Sequence, residues 1–335
     1  MGVSRFGLGF IGCGGYSRQL AQAALRSDEL SIAACYDPDQ GAAERFALDF
    51  SATRCASLDE LAGMSAVEGV IIVSPNNAHR PNAEAAAAAG KHVFVDKPIA
   101  NTIADARAIV SACREAGVVL AVGHNGRRMP GHRAMKRMLQ DGAIGRPVTV
   151  EANFSHSGGL GLTPAHWRFY RDQCPGLPLM QLGIHFADTA QYLLGDVEEV
   201  CSFMSRIATP AEGDDATVTI LRFADGFPGY LGSNYASPSV YYINIYGTEG
   251  NLHCEGGGRL QYRPAGSNDR RDVPLEPSDS LLEELEEFAQ AARGERAPEV
   301  DGEAGLKALA VVRAALASNE RRQAVRIAEV LEKEL

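Results

Sequence analysis

The stretch Phe6-Gly7-Leu8-Gly9-Phe10-Ile11-Gly12-Cys13-Gly14-Gly15-Tyr16-Ser17 decides the fold of this chain. Its first six residues form an apolar run of strand length, and the glycines after it predict a tight turn into a helix. A helix that begins near Gly15 directs free N–H groups and the positive end of its dipole toward an anion. We therefore predict a dinucleotide site at this junction, with Gly12, Gly14, Gly15 and Tyr16 in contact with the cofactor.

The glycine motif alone is a weak signal, because its third position is Ser17 and an ordinary glycine-capped turn would show the same pattern. A second apolar run, residues 30–36, strengthens the prediction of a dinucleotide site, because Asp37 follows it directly. The carboxylate of Asp37 can accept hydrogen bonds from both hydroxyls of an adenosine ribose. A 2′-phosphate would be repelled by Asp37 and Asp39, and no Arg, Lys or Ser follows immediately to bind it. We therefore predict NAD as the cofactor, with NADP less favoured.

The composition of the 335-residue chain narrows the class of protein. This length and a hydrophobic content of 45% suit two domains with two cores. A formal net charge of −10 argues against a nucleic-acid partner, because binding phosphates requires clustered Lys and Arg. Seven cysteines without a CxxC pair indicate a reducing compartment. With no signal-like segment and no apolar run near the roughly 18 residues that span a bilayer, we expect a cytoplasmic protein without a membrane partner.

Strand and helix patterns alternate up to residue 123, which is typical of parallel strands joined by crossover helices. We predict an α/β domain over residues 1–123, a Rossmann fold with a doubly wound parallel sheet. The predicted strands are 5–11, 30–36, 68–74, 92–95 and 118–122, and the predicted helices are 16–26, 39–49, 57–62, 78–89 and 102–116.

In residues 124–335, extended stretches separated by turns replace the regular alternation of strands and helices. This pattern predicts an α+β domain with a mostly antiparallel, open-faced sheet. Its predicted strands are 148–156, 197–207, 217–223, 229–235, 241–246, 251–255 and 259–263, and its predicted helices are 131–141, 178–194, 279–293 and 302–319. An apolar open face is covered most easily by a second copy of the chain. We therefore assign this domain to substrate binding and to oligomerisation, as a homodimer or homotetramer.

Lys97 is the first candidate for chemistry, because it directly follows the fourth apolar strand of the first domain. The carboxyl ends of such strands form the edge where open α/β sheets bind ligands. The alternative is an exposed lysine at the end of a strand. No Gly-x-Ser-x-Gly or His-Glu-x-x-His motif occurs, so we predict neither a serine nucleophile nor a metal.

The segment Asp96-Lys97-Pro98 resembles the Glu-Lys-Pro motif of the Gfo/Idh/MocA family of oxidoreductases, which includes glucose-fructose oxidoreductase and inositol dehydrogenase. The resemblance covers nearly the whole chain. The other stretches that carry it are Ser74-Pro75-Asn76-Asn77-Ala78-His79, Gly123-His124-Asn125-Gly126-Arg127-Arg128, Trp167-Arg168, Gly183-Ile184-His185-Phe186-Ala187-Asp188 and Gly247-Thr248-Glu249-Gly250.

This resemblance implies hydride transfer between the nicotinamide and a secondary alcohol or ketone of a sugar, polyol or sugar derivative. It implies that Lys97 is the acid/base, since an alcohol that loses a hydride must also lose its hydroxyl proton. A lysine beside a positively charged nicotinamide should also have a lowered pKa. The implied cofactor residues beyond the glycine turn and Asp37 are Ser74, Pro75, Asn76, His79, Asp96, Lys97 and Asn125.

His185 is the second predicted catalytic residue, because the resemblance places it opposite Lys97. On a helix it would share a face with Gln181 and Asp188, and Asp188 could accept its imidazole N–H. The alternative is a polar histidine satisfied by its helix. The family usually has Asp at the position of Gln181, and glutamine can hydrogen-bond but cannot take a proton.

The remaining candidates are polar or aromatic residues expected near a cleft. The predicted substrate residues are Lys97, Asn125, Arg127, Trp167, Arg168, Gln181 and His185. His124, His156 and Tyr235 are weaker candidates, and for the last two a surface position is equally consistent with the pattern. A non-catalytic sensor of NAD and a sugar, with the same fold, is the alternative function, because Gln181 replaces a carboxylate.

Overall fold

The computed structural model describes residues 5–333 and divides the chain into two compact units. The first contains the chain up to His124 together with Asp279–Leu306, and the second contains Asn125–Ser278 together with the chain from Lys307 onward. The predicted division differs at residues 279–306, which it assigns to the second domain. These residues fold with the first unit because Leu285 and Phe288 are buried in its core. The outermost residues of the predicted domains, 1–4 and 334–335, lie outside the described part.

The described strands and α-helices follow one another along the chain in two series. Up to His124 they are β1 Phe6–Ile11, α1 Gly15–Ala24, β2 Leu30–Tyr36, α2 Gln40–Phe50, β3 Thr53–Arg54, α3 Leu58–Gly63, β4 Gly69–Ile72, α4 His79–Ala88, β5 His92–Asp96, α5 Ile103–Ala116 and β6 Leu120–Gly123. Beyond it they are α6 Pro130–Gln140, β7 Pro147–Ser155, α7 Ile184–Leu194, β8 Val197–Ser205, β9 Ala216–Phe223, β10 Pro228–Asn234, β11 Val240–Gly247, β12 Gly250–Glu255, β13 Arg259–Pro264, β14 Arg271–Asp272, α8 Ser280–Ala292, α9 Gly302–Arg321, β15 Val325–Arg326 and α10 Ile327–Lys333.

The first unit is built on a six-stranded sheet with the order β3-β2-β1-β4-β5-β6, in which every neighbouring pair is parallel. This confirms the predicted doubly wound Rossmann sheet. β1 lies between β2 and β4, so the chain leaves β1 where the strand order reverses, which is where such sheets bind ligands. The edge strand β3 was not predicted, because two exposed residues carry no periodic pattern.

Helix α8 is tied to the first unit by aromatic packing. The Phe288 ring lies 5.8 Å from the rings of both Phe6 and Phe94, in edge-to-face arrangements. A Cβ on Gly69 of β4 would lie 2.7 Å from the Phe288 ring, so glycine makes room for this ring. Burial of such a side chain stabilises a fold by about 1.5–3 kcal/mol, which explains why the helix packs on this sheet.

The second unit is built on a nine-stranded sheet with the order β14-β13-β12-β11-β7-β10-β9-β8-β15. Only β7 and β10 pair in parallel; the other pairs among the described strands are antiparallel, which confirms the predicted sheet type. Burial alternates along the strands. On β8 and β9 the outward positions include Phe203, Val218 and Ile220, which are 73%, 43% and 47% exposed.

The predicted helix 178–194 differs from the structure in its first turn. Leu179–Gly183 forms a π-helical segment, and α7 begins only at Ile184. Gln181 lies in this wider turn, so its angular relation to His185 is not that of two residues on one α-helix. Within residues 5–333, no helix is both long and apolar enough to cross a bilayer.

Candidate active site

Gly12 makes the turn after β1 possible. Its φ of +89° lies in the left-handed region that favours glycine, and a Cβ there would lie 2.6 Å from the carbonyl oxygen of Val73. A Cβ on Gly14 or Gly15, by contrast, would meet no described atom within 4 Å. The turn is therefore closed at Gly12 and open at the two following glycines.

The open side of the turn leads directly to the start of α1. Gly14 is the N-cap residue and has no side chain to satisfy the N–H groups of the first turn. Those N–H groups remain available to an anion, and the helix dipole favours negative charge at this end. The turn therefore fits the pyrophosphate of a dinucleotide.

The carboxylate of Asp37 is oriented by two backbone N–H groups. Cys13 N–H donates to one oxygen and Asp39 N–H to the other, each at 2.8 Å. A carboxylate oxygen can accept more than one hydrogen bond, so the oriented group can still bind ribose hydroxyls. Asp39 instead caps α2, accepting from Gly41 N–H at 2.9 Å. Strand pairing places Arg54 of β3 opposite Cys35, near the end of β2, which sequence separation concealed.

His79 links the loops that follow β4 and β5. It is almost fully buried, and its two ring nitrogens lie 2.9 Å from Ser74 O and 3.0 Å from Pro98 O. Burial lowers the pKa of His79, although the nearby Asp96 opposes this effect. The neutral ring has one N–H and can donate to one of these two backbone oxygens at a time, so His79 packs between the two loops and hydrogen-bonds one of them. Asn76 adds a buried hydrogen bond from its Nδ2 to Asn101 Oδ1 at 2.9 Å.

Lys97 follows the last residue of β5 and is partly buried. Its peptide bond to Pro98 is cis. The neighbouring Asp96 is close enough to Tyr16 to affect the phenol: burial, and then the charges of Glu284 and Asp96, raise the pKa of Tyr16 well above its usual value. Tyr16 therefore stays protonated at neutral pH and can act as a hydrogen-bond donor.

In the second unit, Arg127 and Asp188 form a bidentate ion pair. Arg127 Nε lies 2.9 Å from Asp188 Oδ2, and Nη2 lies 2.6 Å from Oδ1. The side chains are only 13% and 1% exposed, and the guanidinium also lies 5.3 Å from the ring centroid of Tyr192. Both oxygens of Asp188 are therefore engaged by Arg127, and a contact between Asp188 and His185 stays a prediction.

His132 is a buried residue that the sequence did not single out. Its Nδ1 lies 2.6 Å from Gly126 O, its ring stacks on Tyr241, and burial lowers its pKa to about 4. At neutral pH the imidazole is uncharged and Nδ1 carries the proton that it donates to this carbonyl. It thereby fixes the short 3-10 turn Asn125–Arg128, which carries Asn125 and Arg127.

Three predicted substrate residues lie together in the second unit. Arg168 Nε donates to Gln181 Oε1 at 3.1 Å, and the Arg168 guanidinium lies 4.8 Å from the ring centroid of Trp167. Gln181 is 3% exposed. The π-helical segment therefore presents a buried amide whose oxygen is held by a cation, and this cation covers one face of the indole.

His185 belongs to a continuous row of rings, here called the aromatic row, formed by His185, Phe154, His156 and Tyr235. Successive ring centroids are 5.6, 6.0 and 4.8 Å apart. His156 Nδ1 accepts a hydrogen bond from Gly158 N–H at 3.0 Å, so Nε2 carries the proton of the neutral ring. Burial raises the pKa of Tyr235, and the charge of Arg168 opposes this shift, so the arginine lies near the end of this row. The surface position considered for His156 and Tyr235 is thus replaced by a place in the row.

The predicted site residues therefore form groups within each unit. The cofactor candidates of the first unit follow the carboxyl ends of β1, β2, β4 and β5, and parallel strands bring these ends to one edge. In the second unit, His185, Gln181, Arg168 and Trp167 lie with the aromatic row, whereas Arg127 pairs with Asp188. Asn125 occupies the turn held by His132. Whether each of these side chains contacts cofactor or substrate stays a prediction.

Two family profiles match this chain. One, described as an oxidoreductase family with an NAD-binding Rossmann fold, matches residues 6–124, and the GFO/IDH/MocA C-terminal domain matches residues 132–253. Together they span more than half of the chain. The predicted family resemblance is thereby confirmed in both units.

Individual proteins agree with this assignment. The chain is 33% identical over 275 residues to the 1,5-anhydro-D-fructose reductase of Ensifer adhaerens, covering 77% of this chain and 80% of that protein. It is 33% identical over 271 residues to the D-apiose dehydrogenase of Paraburkholderia graminis, with 77% and 70% coverage. A crystal structure of a candidate NADPH-dependent oxidoreductase from Desulfitobacterium hafniense DCB-2 superposes with a TM-score of 0.93, at 35% identity over 98% of this chain and 99% of that one. The chain therefore belongs to the GFO/IDH/MocA oxidoreductase family, with an NAD-binding Rossmann fold in its first unit.

Proposed function

We propose that this protein is an NAD-dependent dehydrogenase that acts on a secondary alcohol or ketone of a sugar, polyol or sugar derivative. The observation that carries the proposal is Lys97, a lysine placed directly after β5 at the ligand-binding edge of an NAD-binding sheet. The two named relatives act on carbohydrates, which supports this substrate class. Their names are those of a reductase and a dehydrogenase, and they give no support to the alternative of a non-catalytic sensor.

The first unit would hold the cofactor mainly through its backbone. The N–H groups at the start of α1 would bind the pyrophosphate, and the open side at Gly14 and Gly15 would let it approach. Asp37, oriented by two N–H groups, would accept hydrogen bonds from the adenosine ribose. Bound NAD supplies a hydride acceptor at C4 of its nicotinamide ring.

Asp37 also supports NAD over NADP, because its carboxylate would repel a 2′-phosphate. Arg54 is the side chain that would favour NADP, because strand pairing places this cation beside the end of β2. Because Cys13 N–H orients Asp37 toward the turn, its negative charge would lie at the ribose of a bound cofactor. We therefore assign NAD as the preferred cofactor, although a structurally similar protein is described with NADPH.

Lys97 is the proposed acid/base. In the oxidation direction the neutral amine takes the hydroxyl proton of the substrate, and in the reduction direction the ammonium returns a proton to the carbonyl oxygen. His185 is proposed to hydrogen-bond the reacting oxygen, as the second catalytic residue. Because Gln181 cannot exchange a proton, the proton has to pass through Lys97 and His185 and not through a carboxylate at that position.

The second unit supplies the chemistry for holding a carbohydrate. Gln181 and Arg168 offer amide and guanidinium donors for hydroxyl groups, and the aromatic row offers apolar ring surface for C–H faces. Trp167, already stacked with Arg168, adds an indole surface. Asn125 and Arg127 are proposed as further polar contacts, with Arg127 positioned by Asp188.

We also propose that the protein is a homo-oligomer that uses the outward face of the nine-stranded sheet. Phe203, Val218 and Ile220 form an exposed apolar group on neighbouring strands, since Phe203 pairs with Val218 and Cys201 with Ile220. Large side chains at such exposure are costly to leave in water and suit a symmetric contact with a second copy.

The proposed catalysis is tested with the substitution Lys97→Met, measured as formation of NADH across a panel of sugars and polyols. The substitution keeps the length of the side chain and removes its proton-carrying group. We expect kcat to fall by about 10²–10⁴-fold, because general acid–base catalysis contributes this much, while NAD still binds. Full turnover by the variant would overturn the role of Lys97. NAD binding without turnover of any substrate by the native protein would overturn the proposed enzyme.

A further inference from the structure

The second unit contains a cavity of about 160 Å³ that none of the chemistry above uses. It lies between the segment around Arg171 and one face of α9, and three arginines line it: Arg171, Arg313 and Arg321. We call it the arginine pocket. Two carboxylates, Asp214 and Glu320, also line it, so the positive charges outnumber the negative ones.

Arg313 has an unusual environment for a guanidinium. Among residues 5–333 it has no hydrogen-bond partner and no ion pair, and its Nε is shielded from solvent. Burial lowers the pKa of Arg313, with Glu320 opposing the shift, yet an arginine stays charged at any working pH. Because Nε is shielded, only the outer Nη groups of Arg313, which is partly buried and lines the pocket, can meet a ligand. A ligand with negative oxygens would pair with the guanidinium charge through these Nη groups.

Arg171 contributes a second charge without an ion pair among the described residues. Its guanidinium donates to the backbone oxygen of Glu212, from Nη2 at 3.0 Å, and not to a carboxylate. This bond fixes the position of the guanidinium but does not neutralise it. Arg321, in contrast, has Glu329 at 3.5 Å and is partly compensated. The pocket thus contains two guanidinium groups, those of Arg313 and Arg171, that form no ion pair with a described residue. The Glu212 carboxylate also lies near Arg171, where it accepts from the Arg171 backbone N–H at 3.2 Å.

Another side chain at the pocket offers a neutral donor. Asn319 lines it, and its Oδ1 accepts from Met204 N–H at 2.9 Å. This bond fixes the side-chain amide, so its NH₂ group is the end left for other partners. Fixed donors beside planar guanidinium groups are the arrangement that binds phosphate and carboxylate oxygens.

We propose that the arginine pocket is a binding site for a small oxyanion, the phosphate or carboxylate group of a metabolite. The size of the cavity supports an anionic group and not a whole sugar nucleotide, since pockets for larger ligands measure roughly 300–1,000 Å³. Arg313 holds the oxyanion through its two-pronged guanidinium, with Arg171 and the Asn319 amide as further donors. This site is independent of the proposed dehydrogenase activity.

The test is titration calorimetry with inorganic phosphate on the full chain saturated with NAD, so that the phosphate-binding turn of the first unit is occupied. The variants are Arg313→Met and Arg171→Gln, and the control is Lys307→Met, an exposed lysine of the same unit that is paired with Asp196 and does not line the pocket. We expect saturable binding that weakens by about tenfold or more in both pocket variants and is unchanged in the control, as expected for lost charge-assisted hydrogen bonds. Succinate in place of phosphate distinguishes the two sources: the anion that binds more tightly identifies the ligand group.

Thermal unfolding gives a second readout. The change in unfolding temperature caused by Arg313→Met distinguishes an anion-binding role of Arg313 from a structural one. Phosphate also stabilises proteins non-specifically, but this effect would be the same in all variants. Without an anion, Arg313→Met should unfold at the same temperature as the native protein or a higher one, because it removes an unpaired charge. With phosphate, only proteins with an intact pocket should gain further stability. Equal phosphate binding by native and Arg313→Met proteins, or no binding of either anion, would overturn the proposal.

Discussion

The two units build their candidate sites from different parts of the chain. In the first unit the site is backbone: an open glycine turn, the N–H groups of α1 and one carboxylate held by N–H groups. In the second unit it is side chains, with Gln181, Arg168 and the aromatic row drawn from separate segments. A backbone site is sensitive to an added Cβ, whereas a side-chain site is sensitive to the loss of a buried partner. This contrast can be tested on each unit separately.

The largest loss in the free energy of unfolding is expected for Asp188→Ala in the second unit. The substitution leaves the Arg127 guanidinium largely buried without its carboxylate, and removal of one partner from a buried pair typically costs about 3–5 kcal/mol. The chain has one tryptophan, Trp167, and it lies in this unit, so denaturant unfolding followed by its fluorescence reports on the second unit. The double substitution Arg127→Met with Asp188→Leu should recover most of the loss. A single variant as stable as the native protein would show that the pair does not hold the site together.

The second effect is a pH dependence caused by His132. Its pKa of about 4 lies below the ordinary 6.5, so between these values the unfolded chain binds more protons than the folded one. Stability of the second unit should therefore be complete above pH 6.5 and fall as the pH drops toward 4, by about 3 kcal/mol from this residue.

The measurement is the unfolding of the second unit at several pH values, compared between the native protein and His132→Gln. Glutamine can still donate to Gly126 O but does not titrate. His253, whose pKa is also lowered by burial, titrates in both proteins and cancels in the difference. Parallel pH profiles for the two proteins would exclude His132 as the source.

The smallest of the three effects is expected for Gly12→Ala, at about 2–3 kcal/mol. Its Cβ would lie 2.6 Å from Val73 O at a φ that disfavours alanine, so the turn has to shift and NAD should bind more weakly. Gly15→Ala is the matched control for stability, because its Cβ would meet no described atom within 4 Å and alanine suits the first turn of a helix. The readout that compares the two variants is the protection of β1 amides from hydrogen exchange, and equal protection in both would remove the distinction between the closed and the open side of the turn. The affinity for NAD is measured for Gly12→Ala alone, because Gly15 lies on the side from which the cofactor would approach.

Local patterns were enough to predict most of the fold. Alternating strand and helix patterns up to residue 123 predicted the parallel sheet, and extended stretches with alternating apolar residues predicted the antiparallel one. Short elements such as β3, β14 and β15 were missed, because two-residue strands have no period and form only beside an existing sheet. The π-helical segment was also missed, since its residues fit an ordinary helix equally well.

The candidate sites divide in the same way. The dinucleotide turn could be predicted from the sequence, because its strand, glycines and helix are contiguous and Asp37 follows the next strand. Three other features could not be predicted from the sequence, because the residues that form them lie apart along the chain. They are the pairing of Arg127 with Asp188, the burial of His132, and the place of His156 and Tyr235 in the aromatic row.

The sequence by itself thus determined the family, the type of both sheets and the position of the nucleotide turn, because each depends on residues close together along the chain. Only the tertiary structure decided that α8 belongs to the first unit, that Asp188 serves Arg127, and that Arg171 and Arg313 share a pocket. The physical reason is that packing and charge pairing depend on distance in space. A chain fixes such distances only after its sheets have formed.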